Sequence, residues 1–190
     1  MEVYELIGII ILRNRLRISF TMTGNMSKKI KKTVVVALGN EFRGDDGAGI
    51  LFGRKILDRV DIPVIIGGDA PENAVGVISD ERPDEIIIVD ALDYGGQAGE
   101  SIVVHGDDIK GAGVSTHGSL GLFLQFLRLS TGADIVVLGF QPGNVDIGGT
   151  VTPAVQSAVD DIARKVIQDC GFGGLLPAVA PDGGVHDITR

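Results

Sequence analysis

The sequence predicts one three-layer α/β/α domain around a mostly parallel, twisted sheet of about five strands. Three observations carry that reading. Short, continuous apolar runs such as Thr33–Leu38 (TVVVAL), Glu85–Asp90 (EIIIVD) and Asp134–Phe140 (DIVVLGF) are the pattern of strands buried on both faces. Amphipathic stretches with helical spacing alternate with them, as a wound α/β chain requires. Glycine is abundant at 28 residues, aromatics are only 5% and tryptophan is absent, which suits aliphatic side chains packed between helices and a sheet. A chain of 190 residues holds one such domain and is too short for two.

The elements follow in order. Thr33–Leu38 is β-branched and stops at Gly39-Asn40, so it is the first buried strand. After a Gly/Asp loop, Ile50, Leu51, Ile56, Leu57 and Val60 recur near helical spacing, which predicts a helix over 48–60. Pro63–Ile66 is a second strand broken by Gly67-Gly68, and Pro71-Glu72-Asn73 opens a short helix through Ser79. Glu85–Asp90 is a central strand with Asp90 at its carboxyl end. Ser101–His105 is a shorter strand suited to an edge, followed by a glycine-rich loop and a helix over Leu120–Leu129. Asp134–Phe140 is the last strand. Thr152, as N-cap, and Pro153, at the first helical position, open a closing helix that runs to about Asp169.

The flanks differ from this body. Residues 1–32 form a basic segment with seven Lys/Arg against Glu2 and Glu5, while the remaining 158 residues carry −13 of the overall −8. Residues 33–170 make the domain, and residues 171–190, rich in Gly and Pro, read as a loose tail. The apolar run Leu6–Leu12 precedes its basic residues, the reverse of a signal peptide, and falls far short of the roughly 20 residues a bilayer span needs. No membrane insertion is expected. Met22 and Met26 lie just upstream of the first strand, and we expect the native start at one of them. An acidic body disfavours nucleic acid. The single cysteine, Cys170, allows no intramolecular disulfide and no Cys-rich zinc site, which fits a reducing cytoplasm.

In open α/β sheets ligands gather at the carboxyl ends of strands. Three polar groups fall there: Asp45 and Asp46 after the first strand, Asp90 and Asp93 around the end of EIIIVD, and His117 just before the helix at Leu120. Two carboxylates and an imidazole meeting on one rim make an open O,O,N metal site. The same residues also have plain structural readings, since Asp at a strand end often caps the next helix and a lone His is often simply packed or solvated. The first loop invites a nucleotide reading too. Its glycines at 39, 44, 47 and 49 fit neither G-x-G-x-x-G nor the P-loop pattern, and its acidic pair repels phosphate.

Motifs narrow these alternatives. LGNEFRGDDGAG (38–49), GGDAPEN (67–73), IVDALDYG (88–95) with Gly99-Glu100, STH (115–117) and LGFQP (138–142) before TPAV (152–155) occur in one order over residues 33–168. In these the chain resembles the hydrogenase maturation protease family, above all the branch that processes hydrogenase-3-type and energy-converting hydrogenases. The resemblance implies a three-layer fold and an endopeptidase that removes the C-terminal extension of a nickel-loaded [NiFe] hydrogenase large-subunit precursor. It implies no permanent cofactor: the nickel arrives with the substrate and is bound transiently. By motif, the ligands carried over are Asp46, Asp90 and His117, with Asp46 and Asp90 also the candidate catalytic carboxylates of an aspartyl-type peptidase. His105 and His186 match no ligand position and read as ordinary surface or loop histidines. Asp45 and Asp93 stand near the site with rival readings as catalytic groups or as a helix cap or loop ligand. A non-proteolytic nickel-binding chaperone would use the same three ligands, although such proteins tend to carry His- or Cys-rich tracts and this chain has three His and one Cys.

Overall fold

The computed structural model describes residues 11–12, 15–16, 31–109, 120–175 and 186–187. The chain divides into two units, Met1–Ile30 and Lys31–Arg190. Within the first, Ile11–Leu12 and Arg15–Leu16 pair antiparallel. The positions of Met22 and Met26 lie outside the described residues.

The second unit is the α/β/α domain. Its strands are β1 (Thr33–Leu38), β2 (Val64–Gly68), β3 (Glu85–Ala91), β4 (Ser101–His105), β5 (Asp134–Phe140) and the two-residue β6 (His186–Asp187). Its helices are α1 (Ala48–Ile56), α2 (Val75–Asp80), α3 (Leu120–Thr131) and α4 (Pro153–Gln168). The sheet order is β2-β1-β3-β5-β4-β6. β2, β1, β3 and β5 are parallel, and β4 runs antiparallel to β5 and to β6.

Strand periodicity sorts the core into two layers. Val34, Val36, Ile86, Ile88, Ile135 and Val137 pack with Ile78 of α2 and with Leu120, Phe123, Leu124 and Leu127 of α3. The alternate residues Val35, Ile87, Val89, Val136 and Leu138 pack with Phe52 and Ile56 of α1 and with Val155, Val159, Ile162 and Val166 of α4. Because both faces are covered, the central strands read as unbroken apolar runs.

Several boundaries differ from expectation. α1 stops at Ile56 because Leu57 turns to ψ 133 and Asp58 enters the left-handed region at φ 61. Gly67-Gly68 does not break β2 but ends it, with an irregular register where Leu38 pairs Gly68. The loose tail is also corrected at its start. Phe172 and Leu175 are buried in the α1/α4 layer, Phe172 with its ring 6.1 Å from that of Phe52. β6, near the tail's end, pairs with β4, so β4 has a neighbour on each side. Apolar side chains spaced among glycines are enough to dock such a segment. Among the described residues no helix is long and apolar enough to cross a membrane.

Candidate active site

The chain leaves β1, passes outward to β2, and returns across β1 to form β3, so the sheet order reverses between β1 and β3. That reversal opens a crevice at the carboxyl ends of the two strands, the usual ligand position in such sheets. α1 begins directly above it. A Cβ at Gly49 would lie 2.3 Å from both Leu38 O and Val89 O, so only glycine lets the helix seat on the two strand ends at once.

Asp46 lies in the 3-10 turn Gly44–Gly47 that leads into α1, and Asp90 is the penultimate residue of β3. The turn packs against β3. Both carboxylates are fully buried, and one oxygen of Asp90 accepts the Ala91 amide at 2.8 Å. Buried carboxylates persist when they are paired, hydrogen-bonded or bound to a metal. The structure thus brings these two predicted acids to one rim. His117, the third predicted ligand, lies outside the described residues. Among the described residues no three His, Cys, Asp or Glu side chains are grouped to hold a metal ion.

The neighbouring acids have a different task. Asp45, also fully buried, accepts from Gly143 N (2.8 Å), Asn144 N (2.9 Å) and Thr152 Oγ1 (3.0 Å) on Oδ2, and from Thr152 N (2.6 Å) on Oδ1. Its own amide donates to Asn144 O at 2.8 Å. With four donors on its two oxygens, the carboxylate clamps the β1–α1 loop to the loop after β5 and has little capacity left for chemistry. Thr152 occupies the N-cap position of α4 as expected, but its hydroxyl serves Asp45 and makes no cap bond.

Asp93 is likewise a support: its Oδ1 accepts from Gly95 N (3.2 Å) and Gln141 Nε2 (3.0 Å). Gln141 is a residue whose role sequence reasoning missed. Almost fully buried just beyond β5, it accepts from Tyr94 N (3.0 Å) and Gly96 N (3.1 Å) through Oε1, and so shapes the loop after β3. The signal was available, because a polar residue ending a continuous apolar strand is the same cue that marked Asp90. Asp69, at the end of β2, accepts from Asn40 Nδ2 at 3.0 Å and ties a third loop to the rim. His105 ends β4 with its Nδ1 3.6 Å from Asp107, and His186 is in β6, so both lie in strands.

Fold and geometry define an α/β protein that presents carboxylates at a switch-point crevice whose surrounding loops are fastened by buried polar side chains. The hydrogenase maturation protease family model matches residues 53–169, a span that contains Asp90 and starts after Asp46. The hydrogenase 3 maturation protease of Escherichia coli K12 is 33% identical over 146 residues, covering 75% of this chain and 93% of that protein. Two solved structures share the fold. The E. coli endopeptidase HycI has a TM-score of 0.65 at 30% identity, covering 80% of this chain and 99% of its own. The [NiFe] hydrogenase maturation protease HycI of Thermococcus kodakarensis has a TM-score of 0.63 at 27% identity, covering 74% and 93%. The chain belongs to the hydrogenase maturation protease family. It is therefore a peptidase of hydrogenase maturation, which answers the chaperone and nucleotide alternatives raised by the sequence.

Proposed function

We propose that this peptidase removes the C-terminal extension of a nickel-loaded [NiFe] hydrogenase large-subunit precursor, and that Asp46, Asp90 and His117 receive the nickel the precursor carries. The observation that carries the reading is the pair of fully buried carboxylates, Asp46 and Asp90, on the rim between β1 and β3. Strand periodicity adds support for the third ligand. Asp90 falls on the same side of β3 as Ile86 and Ile88, the side covered by α3, and α3 begins at Leu120, three residues after His117.

In this reading the metal is part of the substrate and the enzyme keeps no resident cofactor. Two carboxylates and an imidazole offer hard and borderline donors suited to nickel. A precursor without the metal brings no cation to these acids, and their mutual repulsion then disfavours its docking. Cleavage is thereby confined to large subunits whose metal centre is already loaded. For bond breaking, a carboxylate of the pair takes a proton from the attacking water, the aspartyl-type role, while the clamped loops hold the scissile peptide over the crevice. The exposed thiol of Cys170 fits a cytoplasmic setting, where it stays reduced.

The test is cleavage of the cognate precursor with and without nickel, followed by mass spectrometry of its C-terminus. Nickel-dependent loss of a short C-terminal peptide is the expected result. Equal cleavage of the nickel-free precursor would remove the metal-recognition reading.

A further inference from the structure

Besides Leu57, Ile66 and Val77, two groups of large apolar side chains stand exposed. On α3, Leu122, Phe126 and Leu129 are 72%, 53% and 80% exposed at helical spacing. Beside the crevice, Phe42 is 80% and Ile147 87% exposed. Isolated exposed apolar residues are ordinary on protein surfaces. The Phe42–Ile147 pair is set apart by its support.

Phe42 lies four residues before Asp46 in the same loop, and its carbonyl accepts the Gly148 amide at 2.7 Å, which joins it to the loop that carries Ile147. Its own amide donates to Asn40 Oδ1 at 2.9 Å, and Asn40 in turn donates to Asp69. Asp45 fastens the same two loops from below, through Gly143, Asn144 and Thr152. A Cβ at Gly44 would meet Asn144 O at 2.6 Å, so the two backbones are in direct contact. Two apolar side chains are thus held out to solvent on a fastened platform beside the acids. A rigid apolar anchor loses little entropy when a partner covers it, which is the property of an energetically dominant contact.

We infer that Phe42 and Ile147 form the docking point for an apolar side chain of the precursor, carried on the extended segment close to the bond that is cut. The inference rests on the proposed function, and what fixes the occupant is continuity with the site. Phe42 stands exposed four residues before Asp46 in one loop, within reach of a polypeptide that brings its metal to that acid. For the α3 face, nothing in the structure shows what covers it.

The experiment compares wild type with Phe42→Ser/Ile147→Ser and, as a surface control, Leu122→Ser/Leu129→Ser, on the nickel-loaded precursor. Wild-type cleavage establishes the proposed function by itself, so its failure is separable from failure here. The crevice variant is expected to raise KM roughly ten- to a hundredfold, in line with losing two apolar contacts, while kcat stays within about twofold. Both side chains are exposed, so its thermal midpoint should match wild type. An unchanged KM, a fall in kcat alone, or a larger KM effect in the α3 control would each overturn the inference.

Discussion

The two ends of the central sheet carry acids in opposite ways. At the amino end, Glu85 of β3 and Asp134 of β5 meet Lys31, whose Nζ lies 3.1 Å from one and 3.0 Å from the other, near solvent. At the carboxyl end, Asp45, Asp46 and Asp90 are fully buried. Asp45 there is satisfied by backbone amides and a hydroxyl and not by a lysine. Exposed ion pairs add little stability because water and salt screen them. Buried carboxylates held by neutral donors are sensitive to any change in the donor set. The difference separates a fastening that tolerates substitution from a site that does not.

Substitutions at the two ends test this contrast. The largest effect belongs to Asp90→Asn, which keeps shape and removes charge. Processing of nickel-loaded precursor should fall by about a thousandfold or more, roughly 4 kcal/mol in the barrier, with circular dichroism unchanged. Near wild-type cleavage by a folded D90N protein would dismiss Asp90 from the site. Asp45→Asn comes next: its amide NH2 faces at least one backbone N–H donor, and stability should drop by about 2–4 kcal/mol in urea unfolding, with activity falling because the loops part. If D45N keeps full stability but loses activity, Asp45 is catalytic and the clamp reading fails.

Gln141→Ala should cost about 1–3 kcal/mol, since it strands the amides of Tyr94 and Gly96 and one acceptor bond of Asp93. Faster hydrogen exchange confined to residues 91–97 would show it. Lys31→Met should have the smallest effect, about 0.2–1 kcal/mol at neutral pH. Hydrogen bonds to Asp134 and then Glu85 raise the Lys31 pKa above its ordinary 10.5, against a smaller opposing effect of burial. Its contribution is thus fully present below 10.5 and is lost as pH rises through the higher folded value. Urea midpoints from pH 7 to 11.5 should fall at the alkaline end in wild type and less steeply in the variant. Equal slopes would remove Lys31 as the cause.

The contrast also explains what could be read from the sequence. The layer architecture was legible because β1, β3 and β5 are continuous apolar runs; strand ends pointed to the Asp45-Asp46 pair, to Asp90 with Asp93 and to His117, and the family resemblance singled out Asp46, Asp90 and His117. The division of labour among the acids was not. Asp45 and Asp46 are adjacent and chemically identical, and only the fold reveals that Asp45 meets donors about a hundred positions further along the chain. Gln141 could be found from its place at the end of an apolar strand, but what it does could not, since its partners Tyr94 and Gly96 are remote in sequence. Local pattern located Thr152 correctly, while the long-range partner decided what its hydroxyl does. The docked Phe172 and Leu175 were masked by the glycines around them, a composition that suggests looseness until a cavity between helices is there to receive the side chains.

Gly49 bears on how this site can change over time. Because α1 rests on Leu38 O and Val89 O through the space a methyl group would fill, the gap between the strand ends is set by backbone meeting backbone. Drift in the aliphatic residues of either layer can reshape the interior without altering the gauge of the crevice. A new side chain at position 49 would lift the helix off both strands together. Variation that tunes the enzyme to a different precursor is therefore steered outward, to the loops that frame the opening, while the width of the opening itself is held as a constant of the fold.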